Sequence, residues 1–268
     1  MKTSIFQLLI LAAPCLYAQS VANLDFDFQH GTVISDQYAS LGVNISVAST
    51  DGDGNNNGIN TGIVYDSELG GTDGGTINGA DTDLERLSGG GSGAGNANGW
   101  TTGNFDGFED FNAGGLLIIQ EHPEGVDSTP GGTPDISATD FNPDDSGTGG
   151  VITFDLEVSR GCTTISSILA DFEGDSTEDF EIALFDADMN EEIFNFTDFG
   201  IAVADTGNNS IVALPELALS TGAVLESVEF RFIQSSGSIS GVVFSVPEPS
   251  SVCLLGLGGL FLFKRRRN

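Results

Sequence analysis

The chain has 268 residues, and its 39 acidic residues against 8 basic ones give a formal charge of −31. Such a field repels phosphate backbones and excludes nucleic acid as a partner, whereas divalent cations and neutral glycans remain compatible with it. Lysine occurs only at Lys2 and Lys264, so the chain between its two ends holds neither a P-loop lysine nor one for Schiff-base chemistry.

At the N-terminus, Met1-Lys2-Thr3-Ser4 is followed by an apolar stretch from Ile5 to Tyr17 whose one polar interruption is Gln7. A basic start, an apolar core of this length and small residues after it form a secretory signal addressed to the Sec export machinery. Cleavage is expected after Ala18 or Ser20, for a mature start at residue 19 or 21, and residues 1–20 are taken as the signal peptide. Pro14 before Cys15 argues against lipidation at that cysteine. Between the targeting ends only Cys162 remains, so no intrachain disulfide is available, and stability must come from core burial or bound ions.

Residues 21–246 hold all but one of the acids and three arginines, Arg86, Arg160 and Arg231, a length that suits a single acidic domain. Short β-type runs follow in order: Leu24 to Phe28, Val43 to Val47, Leu116 to Gln120, Val151 to Val158, Ile165 to Phe172, Phe180 to Phe185, Ile193 to Phe196, Ile211 to Leu214, Val228 to Ile233 and Ile239 to Phe244. Several alternate with period two. Leu24-Asp25-Phe26-Asp27-Phe28, Asp179-Phe180-Glu181-Ile182 and Glu229-Phe230-Arg231-Phe232 each place apolar residues on one face and charge on the other. No segment carries a capped helical period. Many short strands without interleaved helices predict an all-β, antiparallel sandwich of jelly-roll-like topology.

Residues 50–115 are rich in Gly, Asn, Asp, Ser and Thr, yet they include Trp100, Phe105, Phe108 and Phe111. These aromatics are not linker residues, and the region is expected to fold over one end of the sandwich. Its run Asp53-Gly54-Asn55-Asn56-Asn57-Gly58 opens like a calcium loop, in which alternate oxygens converge on the ion and the glycine permits a sharp turn. Asp51 adds a carboxylate, so Asp51, Asp53, Asn55 and Asn57 are the candidate metal ligands and calcium the candidate cofactor. Position 64 is Val where an EF-hand has its closing acid, so another part of the fold would have to complete the site.

Other acidic groups are weaker candidates. Asp171, Glu173, Asp175, Glu178 and Asp179 cluster; with Leu169 and Phe172 inward, Asp171 and Glu173 are expected on the opposite face. Asp186, Asp188 and Asn190, like Asp144-Asp145, have the chemistry of turns. His30 and His122 stand alone, outside any zinc spacing, and Ser92 lacks the context of a nucleophile elbow. No nucleophile emerges and no carboxylate pair is singled out for glycosidic chemistry, so the domain is read as non-enzymatic. Trp100, Tyr38 and Tyr65 offer flat faces for sugars, against the commoner role of core packing.

The C-terminal stretch runs Val246-Pro247-Glu248-Pro249, then an uncharged, mostly apolar run from Ser250 to Phe263, then Lys264-Arg265-Arg266-Arg267. The run is short beside the roughly 20 residues of a membrane-spanning helix, and the basic cluster puts the C-terminus in the cytoplasm. This order closely resembles the PEP-CTERM sorting tail of Gram-negative bacteria that make extracellular polysaccharide. The resemblance covers residues 246–268; residues 247–268 are taken as the sorting and anchor segment, ending in a short transmembrane helix. It implies an exosortase, a transpeptidase-like membrane enzyme, as processing partner, and transient residence in the inner membrane before transfer to the cell surface or extracellular matrix. Within the domain, Leu24-Asp25-Phe26, Gly31-Thr32-Val33-Ile34, Gln37-Tyr38, Leu41-Gly42-Val43, Leu116 to Glu121, Asn142-Pro143-Asp144-Asp145 and Gly149 to Phe154 resemble secreted bacterial sandwich domains that precede such tails. That likeness implies architecture alone. The expected function is a non-enzymatic surface or matrix protein associated with extracellular polysaccharide or calcium, the alternatives being a polysaccharide-active hydrolase and a lectin-like module.

Overall fold

The computed structural model describes residues 22–29, 31–50, 58, 60–67, 84, 100, 102–120, 147–173, 179–202, 206 and 210–246. The alternating runs become strands: β1 (Ala22–Leu24), β2 (Val33–Ile34), β3 (Val43–Ser49), β4 (Gly62–Asp66), β5 (Thr102–Gly103), β6 (Gly115–Ile119), β7 (Gly149–Leu156), β8 (Thr164–Glu173), β9 (Phe180–Asp186), β10 (Glu191–Asn195), β11 (Ser210–Ala218), β12 (Leu225–Ile233) and β13 (Ser236–Ser245). Short 3-10 turns occur at Ala39–Leu41, Phe108–Asp110 and Val158–Arg160. No helix among the described residues is long and apolar enough to cross a membrane, and the expected C-terminal span lies outside them.

Eight of the strands give the topology. β13 lies between β6 and β8, with β11 beyond, and β12 lies between β7 and β9, with β10 beyond. The sheets β6-β13-β8-β11 and β7-β12-β9-β10 are those of a jelly roll, in which the last two strands slot between earlier ones. The first sheet is widened by β4 and β2 at one side and β5 at the other, while β3 extends the second beyond β7. β1 pairs with the second half of β13, from Ala22 opposite Phe244 to Leu24 opposite Val242. Every pairing is antiparallel except the short parallel contact of β5 with β11.

The inner faces form one core. Leu24, Leu117, Leu169, Val212, Ile239, Val242 and Phe244 from the larger sheet meet Ile45, Ile152, Phe154, Ile182, Leu184, Val228 and Phe230 from the smaller. At one part of it Phe172, Phe180 and Phe196 interlock, with Phe180 stacked on Phe196 at 4.7 Å and Phe172 edge-on to Phe196 at 4.8 Å. Leu169 and Phe172 both face inward although they differ in parity. A β-bulge allows this: Ser238 and Ser236 of β13 face Ala170 and Glu173 of β8, and Asp171 between them takes a left-handed φ of 53°. Asp171 is therefore buried, at 1% exposure, and not on the solvent face that simple alternation assigns to it.

The larger sheet is covered on its outer face as well. Ile63 and Tyr65 of β4, Leu116 and Ile118 of β6, Ala170 of β8 and Ile211 of β11 form a second cluster with Leu84, Trp100 and Ala113, flanked by Phe105, Phe108 and Phe111. The aromatics of the Gly/Asn-rich region thus fold over this outer face, where an end of the sandwich had been expected. Double burial explains why β6 reads as an unbroken apolar run, all five of its residues being buried. It also fixes Gly115, where a Cβ would lie 1.9 Å from the Phe26 carbonyl oxygen.

Candidate functional site

Among the described residues the second layer ends at Phe111 to Ala113, beside a groove on the outer face of the larger sheet. Its floor follows from strand register: Asn23, Val243 and Ser166 lie side by side across β1, β13 and β8, and Gly241, Ile168 and Ala213 lie side by side across β13, β8 and β11. Phe111, Asn112 and Ala113 form the wall, and Asp25 stands at the rim. The cavity measures about 340 Å³ and is open on one side.

The wall is anchored by hydrogen bonds. Trp100 Nε1 donates to the Phe111 carbonyl at 2.9 Å, and Ser240 Oγ donates to the Ala113 carbonyl at 2.9 Å. Asn104 grips β11 like a strand, its amide donating to the Ala213 carbonyl at 2.9 Å while its Oδ1 accepts the Ala213 N–H at 2.8 Å. Asn112 Oδ1 accepts the Gly114 N–H, which leaves its amide group for the groove. The Asn23 amide and Ser166 hydroxyl donate to nothing within the described residues. Among the described residues the site is therefore uncharged apart from Asp25, with polar groups around an apolar patch of Phe111, Ile168 and Val243. In the sequence Phe111 stands out only as a cover residue, and nothing marks Asn23, Asn112 or Ser166, which are far apart in the chain.

The aromatic residues considered for sugar stacking are placed elsewhere. Tyr38, Tyr65 and Trp100 are all buried, so none offers a ring face to a ligand. The Tyr38 hydroxyl accepts the Phe26 N–H at 2.9 Å, and burial pushes its pKa up to about 12. Cys162 is a buried free thiol whose pKa burial also raises.

The calcium candidates Asp51, Asp53, Asn55 and Asn57 lie outside the described residues; Gly58, which closes their run, is exposed with a left-handed φ of 88°. Asp175, Glu178, Asp144, Asp145, His30, His122 and Ser92 also lie outside. Asp186 belongs to the β9–β10 turn: it accepts from the Asn190 side chain and from the N–H groups of Asp188 and Asn190, which hold its carboxyl below the usual range. Among the described residues no group of three or more His, Cys, Asp or Glu is placed to hold a metal.

Both described arginines are engaged. Arg160 bonds Glu157 at 3.2 Å and the Ser40 carbonyl at 3.1 Å. Arg231, on the outer face of the smaller sheet, meets Glu229 at 2.6 Å, Glu191 at 2.7 Å and Glu181 at 3.6 Å, and lies 5.8 Å from the Phe185 ring centroid. Burial works against its charge, but the hydrogen bonds to Glu229 and Glu191 outweigh this and raise its pKa.

The fold defines an acidic, all-β jelly-roll sandwich with an open groove on one outer face. Residues 245–267 match the PEP-CTERM protein-sorting motif. The chain is thus an exported protein that is sorted by an exosortase and held transiently at the membrane before processing. Pro247, Glu248, Pro249 and Lys264, Arg265, Arg266 and Arg267 fall within that match and outside the described residues. No curated protein matches the chain.

Proposed function

We propose that the exported domain is a non-enzymatic component of the cell surface or extracellular matrix that associates with uncharged extracellular polysaccharide. The observation that carries this reading is the union of a sorting tail with a strongly acidic domain whose described arginines are both spent on internal glutamates. A chain of net charge −31 repels anionic polymers, which favours a neutral glycan over nucleic acid or acidic polysaccharide. Calcium is proposed as a structural ion of the Asp51, Asp53, Asn55 and Asn57 run, where the left-handed Gly58 suits the turn.

Retention of the full-length protein on a polysaccharide matrix tests the first part: binding to neutral glycans that survives high salt is expected, and elution by salt would refute it. Release of soluble sugars during the same incubation would overturn the non-enzymatic reading in favour of a hydrolase. For calcium, an ion bound only by the folded state must raise Tm, so an unchanged Tm at millimolar calcium would remove the ion.

A further inference from the structure

We infer that the groove bounded by Asn23, Asn112, Ser166 and Phe111 is the glycan site of this domain, and that it takes a short internal stretch of an uncharged polysaccharide chain; this rests on the polysaccharide reading above. A sugar ring alternates apolar C–H faces with a fringe of hydroxyls. The groove has the complementary arrangement, since Phe111, Ile168 and Val243 supply an apolar surface while the Asn23 and Asn112 amides and the Ser166 hydroxyl supply donors and acceptors. Neutral amides and hydroxyls can both give and accept hydrogen bonds, as sugar hydroxyls do.

Other ligand classes fit less well. An anion would meet Asp25 at the rim, and among the described residues no cationic side chain lines the groove. A metal ion would find one carboxylate, where hard cations take several oxygens. A purely apolar ligand would bury amides and a hydroxyl without partners. Size and shape narrow the choice further. About 340 Å³ is near the lower end of ligand clefts, roughly 300–1,000 Å³, and the open side lets a longer chain pass through. The site is also built in advance, because Ser240 ties the Ala113 carbonyl of the wall to β13 and Trp100 holds the Phe111 carbonyl, and a fixed wall loses little freedom when a ligand binds.

The test uses the full-length chain in a polyoxyethylene detergent, which carries no sugar head group. Affinity electrophoresis through gels containing dextran, mannan or a neutral galactan measures binding, with polygalacturonate and polylysine as charged controls. Retardation by at least one neutral polysaccharide is expected. Asn23→Ala and Asn112→Ala, both at exposed positions, should each weaken it by about 3- to 10-fold, the loss of one hydrogen bond. Ser166→Phe, which fills the groove from its floor, should abolish it, whereas Asp188→Asn, in the exposed β9–β10 turn away from the groove, should leave it unchanged. If the parent chain binds a neutral polysaccharide and these three groove variants bind equally well, the groove is the wrong place and the broader reading stands. If the parent chain binds none, both fall. Binding to polylysine that is lost in Asp25→Asn would overturn the neutral ligand in favour of a cationic one.

Discussion

Trp100→Ala tests whether the outer layer is an integral part of the fold. The indole is 2% exposed within the cluster that covers the larger sheet, and Trp100 is the only tryptophan in the chain. Burying about 150–250 Å² at about 25 cal/mol per Å² is worth about 4–6 kcal/mol, an upper estimate because denatured chains already hide part of that area. The alanine retains a small share, but the Phe111 carbonyl loses its donor, for about 1 kcal/mol more. A net loss of about 4 kcal/mol follows, in line with large-to-small aromatic substitutions and a large part of a typical stability of about 5–15 kcal/mol. Urea unfolding followed by far-ultraviolet circular dichroism measures it, and the parent's tryptophan fluorescence should unfold at the same urea concentration as its dichroism. Trp100→Phe, which keeps most of the burial, should lose only about 1–2 kcal/mol. A loss below about 1 kcal/mol for the alanine, or fluorescence that changes well before dichroism, would show that the layer is a loose cover and not a second core.

Three other outcomes follow from the same geometry. Tyr38 keeps its proton to about pH 12 when folded but releases it near 10 when unfolded, so the folded state binds more protons in that window; its contribution is intact below pH 10 and is lost as pH rises toward 12. Tyr38→Phe should lack that alkaline decline, while losing about 1 kcal/mol at pH 7 with the Phe26 N–H bond, as urea midpoints at pH 8 and 11 would reveal. Arg231→Ala leaves Glu181, Glu191 and Glu229 facing one another and, after allowance for solvent screening, should cost about 1 kcal/mol, a deficit that shrinks in high salt. Gly115→Ala drives a methyl into the Phe26 carbonyl and should cost about 3 kcal/mol; a thermal midpoint within a degree or two of the parent would contradict the close approach.

Where one face of a strand is wet, the sequence pattern reads directly. Glu229-Phe230-Arg231-Phe232 and Asp179-Phe180-Glu181-Ile182 alternate as their burial does, because each has the core on one side only. Gly62-Ile63-Val64-Tyr65-Asp66 gives no such signal, since Val64 joins the inner core while Ile63 and Tyr65 join the outer cluster, and it lies within a polar region. The β8 bulge is set by pairing with β13, far along the chain, so no local rule buries Asp171. The groove is harder still to read. Its polar residues are ordinary Asn and Ser, and only the register of β1, β13 and β8 brings Asn23 beside Ser166.

The register of β13 also constrains the sorting step. Ser245 pairs with Thr164, and its carbonyl accepts the Thr163 N–H at 2.9 Å, so the sheet grips the chain up to the first residue of the sorting motif. β13 is an interior strand that supplies Ile239, Val242 and Phe244 to the core and Ser240, Gly241 and Val243 to the groove. A cut after Val246 leaves all of this intact, whereas a cut before Val242 removes two fully buried side chains, Val242 and Phe244, worth about 2–3 kcal/mol each, and with them part of the groove floor. A chain ending at Val246 should therefore unfold at the same urea concentration as the full-length protein, and one ending at Gly241 should be unfolded or lose at least about 4 kcal/mol. Equal stability of the two truncations would mean that the part of β13 after Gly241 is dispensable. If they differ as expected, a cut that keeps the domain folded falls C-terminal to Gly241, a condition that the Pro247-Glu248-Pro249 stretch meets.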